Sequence, residues 1–178
     1  MRLFVALALS WETRQLVSML AGRGIPGARW AAPETYHLTL RFIGETPAHQ
    51  AEDVDLALAA IRSKRFALEL AGVGVFAKGG RATALWVGVA RNPALEHLAG
   101  KIETALQRAG LPPERRRFLP HVTLARLGGV ADDRLAVFMQ MHNLFRHGPM
   151  DISHFTLFSS QLGKEQSVYT PEVEYPLG

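Results

Sequence analysis

Along the chain, short apolar runs suited to strands alternate with longer stretches whose apolar residues recur every three or four positions, with no low-complexity linker between them. The pattern predicts strands from Arg2 to Leu9, His37 to Ile43 and Phe66 to Val75, and helices from Trp11 to Ala21 and Ala48 to Arg62. The same order then starts again. It gives strands from Ala84 to Val89, His121 to Leu127 and Met150 to Phe158, and helices from Pro93 to Ala109 and Asp132 to His142. A closing strand, Ser167 to Tyr175, follows.

Leu3-Phe4-Val5-Ala6 precedes Leu85-Trp86-Val87-Gly88 by 82 positions, and His37-Leu38-Thr39-Leu40 precedes His121-Val122-Thr123-Leu124 by 84. The near-constant offset implies an internal duplication, with repeats at about 2–76 and 84–160. The expected fold class is α+β and bilobal. Two small, mostly antiparallel sheets, each backed by two helices, line a central cleft, with the helices on the outer faces. Residues 1–178 are read as a single two-lobed domain.

Composition narrows the chemistry. With 48% hydrophobic and 20% charged residues the chain is globular, and with no cysteine it has neither disulfides, thiolate metal sites nor a cysteine nucleophile. The absence of disulfides fits a reducing cytoplasm. Met1-Arg2 followed by Leu3 to Leu9 superficially resembles a signal peptide, but it is too short to span a bilayer and recurs inside the chain, so a buried strand is expected and no membrane partner. Of the 20 basic residues, 16 are arginine, whose planar fork matches phosphate. The formal charge of +4 is compatible with a phosphorylated partner but also with simple codon bias.

On a strand, side chains alternate faces, so His37 and Thr39 share one face and His121 and Thr123 share another. Facing each other across a cleft, two imidazoles and two hydroxyls surround a space the size of a phosphate. Displacement at phosphorus requires one group to take a proton from the attacking oxygen and another to protonate the leaving oxygen; a neutral and a protonated histidine do this without a metal. The zinc-binding helical His pair with Glu is missing, and no cofactor is expected.

A third His-x-Thr occurs at His154. It lacks the glycine seven residues on and the nearby arginine that His37 has in Gly44 and Arg41 and His121 has in Gly128 and Arg126, so it is read as a polar strand position. His49, His97, His142 and His147 are read as surface residues. Arg41 has the parity of His37 and should face the phosphate; Arg126 has the wrong parity and reaches it only if a bulge re-aims it. Arg115-Arg116-Arg117 forms a basic loop at the entrance or a plain solvated turn. Trp30, Tyr36 and Phe118 either stack a base or belong to the core.

These residues resemble the two-histidine (2H) phosphoesterase superfamily, in particular the RNA 2',3'-cyclic phosphodiesterases, also called the 2'-5' RNA ligase family. The likeness runs from Arg2-Leu3-Phe4-Val5-Ala6 through Arg29-Trp30, Pro33-Glu34, the segment His37 to Gly44, Gly74-Val75-Phe76, Leu85 to Gly88 and Pro120 to Arg126, and on to Phe158-Ser159-Ser160. It implies hydrolysis of 2',3'-cyclic phosphate ends of RNA to 2'-phosphates, with His37 as proton donor, His121 as proton acceptor, and Thr39, Thr123 and Arg126 at the phosphate. Implied partners are RNA ends, tRNA fragments among them, or cyclic nucleotides, bound by a cytoplasmic monomer. Reverse 2'-5' ligation of cyclic-phosphate and 5'-hydroxyl ends and a non-catalytic module binding RNA ends or cyclic nucleotides are the alternatives. Tyr36 stands where a typical member has Asn.

Overall fold

A computed structural model describes residues 1–22 and 24–178. Its nine strands and four helices run β1 (Arg2–Ala8), α1 (Trp11–Ser18), β2 (Ala28–Trp30), β3 (His37–Glu45), α2 (Ala48–Ala59), β4 (Phe66–Lys78), β5 (Arg81–Val89), α3 (Pro93–Arg108), β6 (His121–Leu127), α4 (Asp132–His142), β7 (Arg146–Ile152), β8 (His154–Leu162) and β9 (Ser167–Pro176). A short 3₁₀ turn, Pro33–Thr35, leads into β3.

The strands form two antiparallel sheets, ordered β3-β1-β8-β9 and β2-β6-β5-β4-β7. One expectation needs correction: neither sheet is built from one half of the chain. β4, from the first half, lies between β5 and β7, and β8, from the second, lies between β1 and β9. The predicted strand Met150 to Phe158 is in fact two, broken at Ser153, where the chain passes from the edge of the second sheet to the middle of the first.

Local chemistry explains the elements. β4 and β5 form a hairpin with Lys78 opposite Arg81, and Gly79 and Gly80 between them adopt φ of 59° and 76°, the left-handed pair that a two-residue turn requires. Asn92 caps α3 by accepting from the Leu95 N–H, Pro93 takes the first turn where its missing donor is harmless, and Leu95, Leu98, Ile102 and Leu106 line its buried face. Leu3, Val5 and Leu7 of β1 join these side chains in the main core, while Phe4 and Ala6 pack with Phe158 on the opposite face. β1 is therefore apolar on both faces, which is why it reads as a continuous run rather than an alternation. Among the described residues no helix is long and apolar enough to cross a membrane.

Candidate active site

β3 and β6 each carry an extra residue at the same repeat position, and β3 carries a second at Ile43. Val5 pairs with Arg41 and Ala6 with Thr39, so Leu40 is extra; Leu85 pairs with Ala125 and Trp86 with Thr123, so Leu124 is extra. Directly opposed residues of antiparallel strands share a face. The first bulge therefore leaves His37, Thr39 and Phe42 on the face of Ala8, Ala6 and Phe4, and sends Arg41 to the core face of Val5. The second leaves His121, Thr123 and Arg126 together, opposite Gly88, Trp86 and Ala84.

The two imidazoles are held alike. His37 Nδ1 lies 2.6 Å from the Thr35 carbonyl and His121 Nδ1 lies 2.6 Å from the Leu119 carbonyl. A carbonyl only accepts, so Nδ1 carries the proton in both rings and Nε2 is left for the cleft. Aromatic neighbours fix the planes. Phe4 and Tyr169 each lie 4.9 Å from the His37 ring, centre to centre, and Phe76 meets His121 edge-on at 4.8 Å with Trp86 beyond it.

Burial among these rings disfavours the imidazolium. It pushes His37 down to about 4, against the pull of the Thr35 carbonyl and with help from the charges of Arg14 and His121. His121 is lowered by burial, opposed by the Leu119 carbonyl and reinforced by Arg126. β3 and β6 pack against each other, which brings the two histidine-bearing strands to one cleft, and Arg126 shares the face of His121. Beside them opens a cavity of ≈ 790 Å³ whose wall includes Thr39, Phe42, Arg117, Phe118 and His121.

A family model described as LigT like phosphoesterase matches residues 9–86 and again 87–169. The chain belongs to the LigT-like phosphoesterase family. The RNA 2',3'-cyclic phosphodiesterase of Aeropyrum pernix is 33% identical over 157 residues, 87% of this chain and 89% of that one. The crystal structure of E. coli LigT in apo form is matched at a TM-score of 0.80 and 28% identity over 99% of this chain and 96% of that one. E. coli LigT complexed with 3'-AMP is matched at 0.78 and 25%, covering 99% and 97%.

In this LigT-like phosphoesterase the bulge takes Arg41 off the strand face of His37, contrary to the parity argument, although it still forms part of the wall of the same cavity. It is only 9% exposed, and its guanidinium donates to Glu103, to the Phe42 carbonyl and to the Pro112 carbonyl, each at 2.6 Å. Partial burial works to raise the Glu103 carboxyl, but hydrogen bonds from Arg41, the Glu114 N–H and Gln107 outweigh it and hold it at about 2. For Arg126, the bulge that the sequence argument required is present.

His154 lies in β8, with Nδ1 3.1 Å from Ser153 Oγ and Nε2 3.8 Å from Glu174. Its Thr156 is buried opposite Ala6. His147, read as a surface residue, instead ties β7 to α1 through Thr13 Oγ1 at 3.1 Å. Of the three candidate stacking rings, Tyr36 is 1% exposed and belongs to the core, Trp30 packs against Phe138, and Phe118 lines the cavity. Sequence reasoning missed Phe42 and Arg14. Phe42 was detectable as the residue 84 positions before Arg126; Arg14, on α1 and donating to the Leu9 carbonyl, had no such marker.

Proposed function

We propose that this protein hydrolyses the 2',3'-cyclic phosphate at an RNA 3' end to a 2'-phosphomonoester, without a metal. The matched imidazoles, each with Nδ1–H tied to a carbonyl two residues back and Nε2 free, carry the proposal. Rings prepared in this way suit proton transfer, one as base and one as acid. Water attacks phosphorus and the bond to O3' breaks. His121 takes the water proton, and His37 gives its proton to O3'. Thr39 and Thr123 hydroxyls donate to the non-bridging oxygens as charge collects there, with Arg126 beside them.

Both rings are neutral at pH 7 in the free site, since burial holds both below their ordinary value. The acid's proton is therefore taken up with the anionic phosphodiester, whose charge favours an imidazolium. The name of the A. pernix relative and the capture of 3'-AMP by E. coli LigT support this substrate class.

The residues work as one domain, because β4 and β8 are exchanged and neither sheet is complete without the other half of the chain. On this reading the substrate is a cleaved RNA such as a tRNA fragment, met by a monomer in the cytoplasm. The test is turnover of nucleoside 2',3'-cyclic phosphates and cyclic-phosphate oligonucleotides, with the product followed by phosphorus NMR. A 2'-phosphomonoester is expected. A 3'-phosphate, or no turnover, overturns the proposal.

A further inference from the structure

The cavity beside His121 does not end at the cleft. Glu96 and Gly100 of α3 form part of its wall and also part of the wall of a second cavity of ≈ 810 Å³, on the other side of that helix turn, between α2 and α3. The two hollows thus meet over Gly100. A glycine inside a helix weakens it relative to alanine, so it calls for a reason. Packing within the chain supplies none, because a Cβ built at Gly100 meets no atom within 4 Å. The missing side chain leaves a low saddle between the hollows, as if something passes there.

The far hollow is basic. Arg62, Lys101 and Arg108 line it, and among the described residues none of the three has a carboxylate partner. Arg62 and Lys101 make only carbonyl hydrogen bonds near the end of α2. On the near side, Glu103 is occupied by Arg41 and Glu114 by Arg116, so among the described residues Arg117 is the cation and Glu96 the carboxylate of the track without an ion-pair partner.

We propose that the ribose-phosphate backbone of a single-stranded RNA runs from the catalytic cleft over Gly100 into the groove between α2 and α3, where Arg62, Lys101 and Arg108 neutralise its phosphates. This rests on the cyclic-phosphodiesterase reading of the cleft. A cyclic phosphate closes the 3' end, so the strand leaves only from the 5' side of the terminal nucleotide. The walls of the groove offer three cations and mostly small side chains, with His97 as the one aromatic ring, so recognition there is chiefly of backbone.

The experiment compares a cyclic mononucleotide with a cyclic-phosphate decanucleotide in the wild type, the triple variant Arg62→Gln/Lys101→Gln/Arg108→Gln, Gly100→Trp and Glu96→Gln. Anisotropy of a labelled decanucleotide ending in a 3'-phosphate reads binding without turnover. The triple variant should raise the decanucleotide KM by at least tenfold and flatten its log Kd against log salt slope by about 2, from about 0.7 per phosphate contact. Gly100→Trp should raise the same KM, and Glu96→Gln should lower it, a gain that misfolding cannot produce. Mononucleotide kinetics should stay unchanged in the triple variant, whose three residues lie outside the wall of the catalytic cavity. Equal losses on both substrates, or an unchanged salt slope, overturn the track. A wild type that turns over neither substrate overturns the catalytic reading instead, while anisotropy still reports on the groove. Tight binding of duplex but not single-stranded RNA also overturns the proposal.

Discussion

Phe42 and Arg126 stand at the same place on β3 and β6, 84 positions apart and each just past an identical bulge, and both project from the histidine-bearing face. Here the two halves of the cleft become chemically different. One offers an exposed aromatic ring, the other a guanidinium beside His121. The pseudo-symmetric site thus acquires a polarity, with a positive charge on one lobe and an apolar surface on the other.

Arg126→Gln should therefore lower kcat by about 10²-fold, the order expected when a preorganised donor to transition-state charge is removed. Its side chain is exposed, so stability should change by less than about 0.5 kcal/mol. Arg126→Lys should recover part of the rate. Phe42→Ala should act instead on KM, by about tenfold if a base rests on the ring. Steady-state kinetics on a cyclic mononucleotide, with thermal unfolding as control, checks both. An unchanged kcat in Arg126→Gln removes the residue from the phosphate.

Arg41 should behave in the opposite way. Cutting Arg41→Ala leaves Glu103 half-buried without its cation and the Pro112 carbonyl without its donor, a loss of about 3 kcal/mol. The folded Glu103 sits at about 2, below the ordinary carboxylate range, so its contribution is complete above that range and disappears as pH falls from about 4.5 towards 2. Denaturant midpoints measured across that window should fall for the wild type and be flatter for Glu103→Gln. If Arg41→Ala leaves stability intact and removes activity, it is a phosphate ligand after all.

The pH dependence of turnover follows from the two depressed rings. A productive encounter needs one imidazolium and one neutral imidazole. In the free protein His37 is the more depressed ring, so a single proton rests mainly on His121; the productive form, with His37 charged and His121 neutral, is the minor one, yet it rises and falls with the same two titrations, both below the ordinary histidine value. The kcat/KM profile should peak on the acid side of pH about 6.5, and kcat should peak higher, because bound phosphate favours the charged ring. Arg14→Gln removes one of the charges holding His37 down and should move the acid limb upward. A kcat/KM bell centred above neutrality contradicts the burial argument.

Period-two alternation makes the two His-Thr faces visible in the sequence, and the offsets of 82 and 84 reveal their kinship. It says nothing about which strand lies next to which, since pairing is non-local; hence β4 and β8 changed sheets unannounced. A bulge is equally silent, because it shifts every later side chain by one face without altering composition. Arg41 looked aimed at the phosphate and Arg126 did not, and one extra residue in each strand reversed both. The consecutive apolar pair Leu124-Ala125 was the available hint, since both are buried where strict alternation would expose one.

His37→Ala and His121→Ala should each reduce kcat by 10² to 10⁴-fold, on the order of what a positioned proton-transfer group supplies. Neither ring anchors the main core, so folding should survive. Activity of the wild type should withstand EDTA. Full turnover by either variant would end the paired acid-base account.

Trp86 and Gly74 provide the last test, because the indole of Trp86 lies across Gly74 on the neighbouring strand and a Cβ there collides with its ring. In the first sheet the corresponding pair is Phe4 opposite Phe158, stacked at 5.2 Å, so two medium rings line one wall and one large ring over a glycine lines the other. Gly74→Ala must displace the indole, and it should destabilise the fold by about 1–3 kcal/mol through overpacking. The displaced ring also borders His121, so kcat/KM should fall with it. Trp86→Phe restores the missing space, and the double variant Gly74→Ala/Trp86→Phe should be more stable than Gly74→Ala alone. If the two substitutions prove additive in a double-mutant cycle, the ring does not rest on Gly74 in solution.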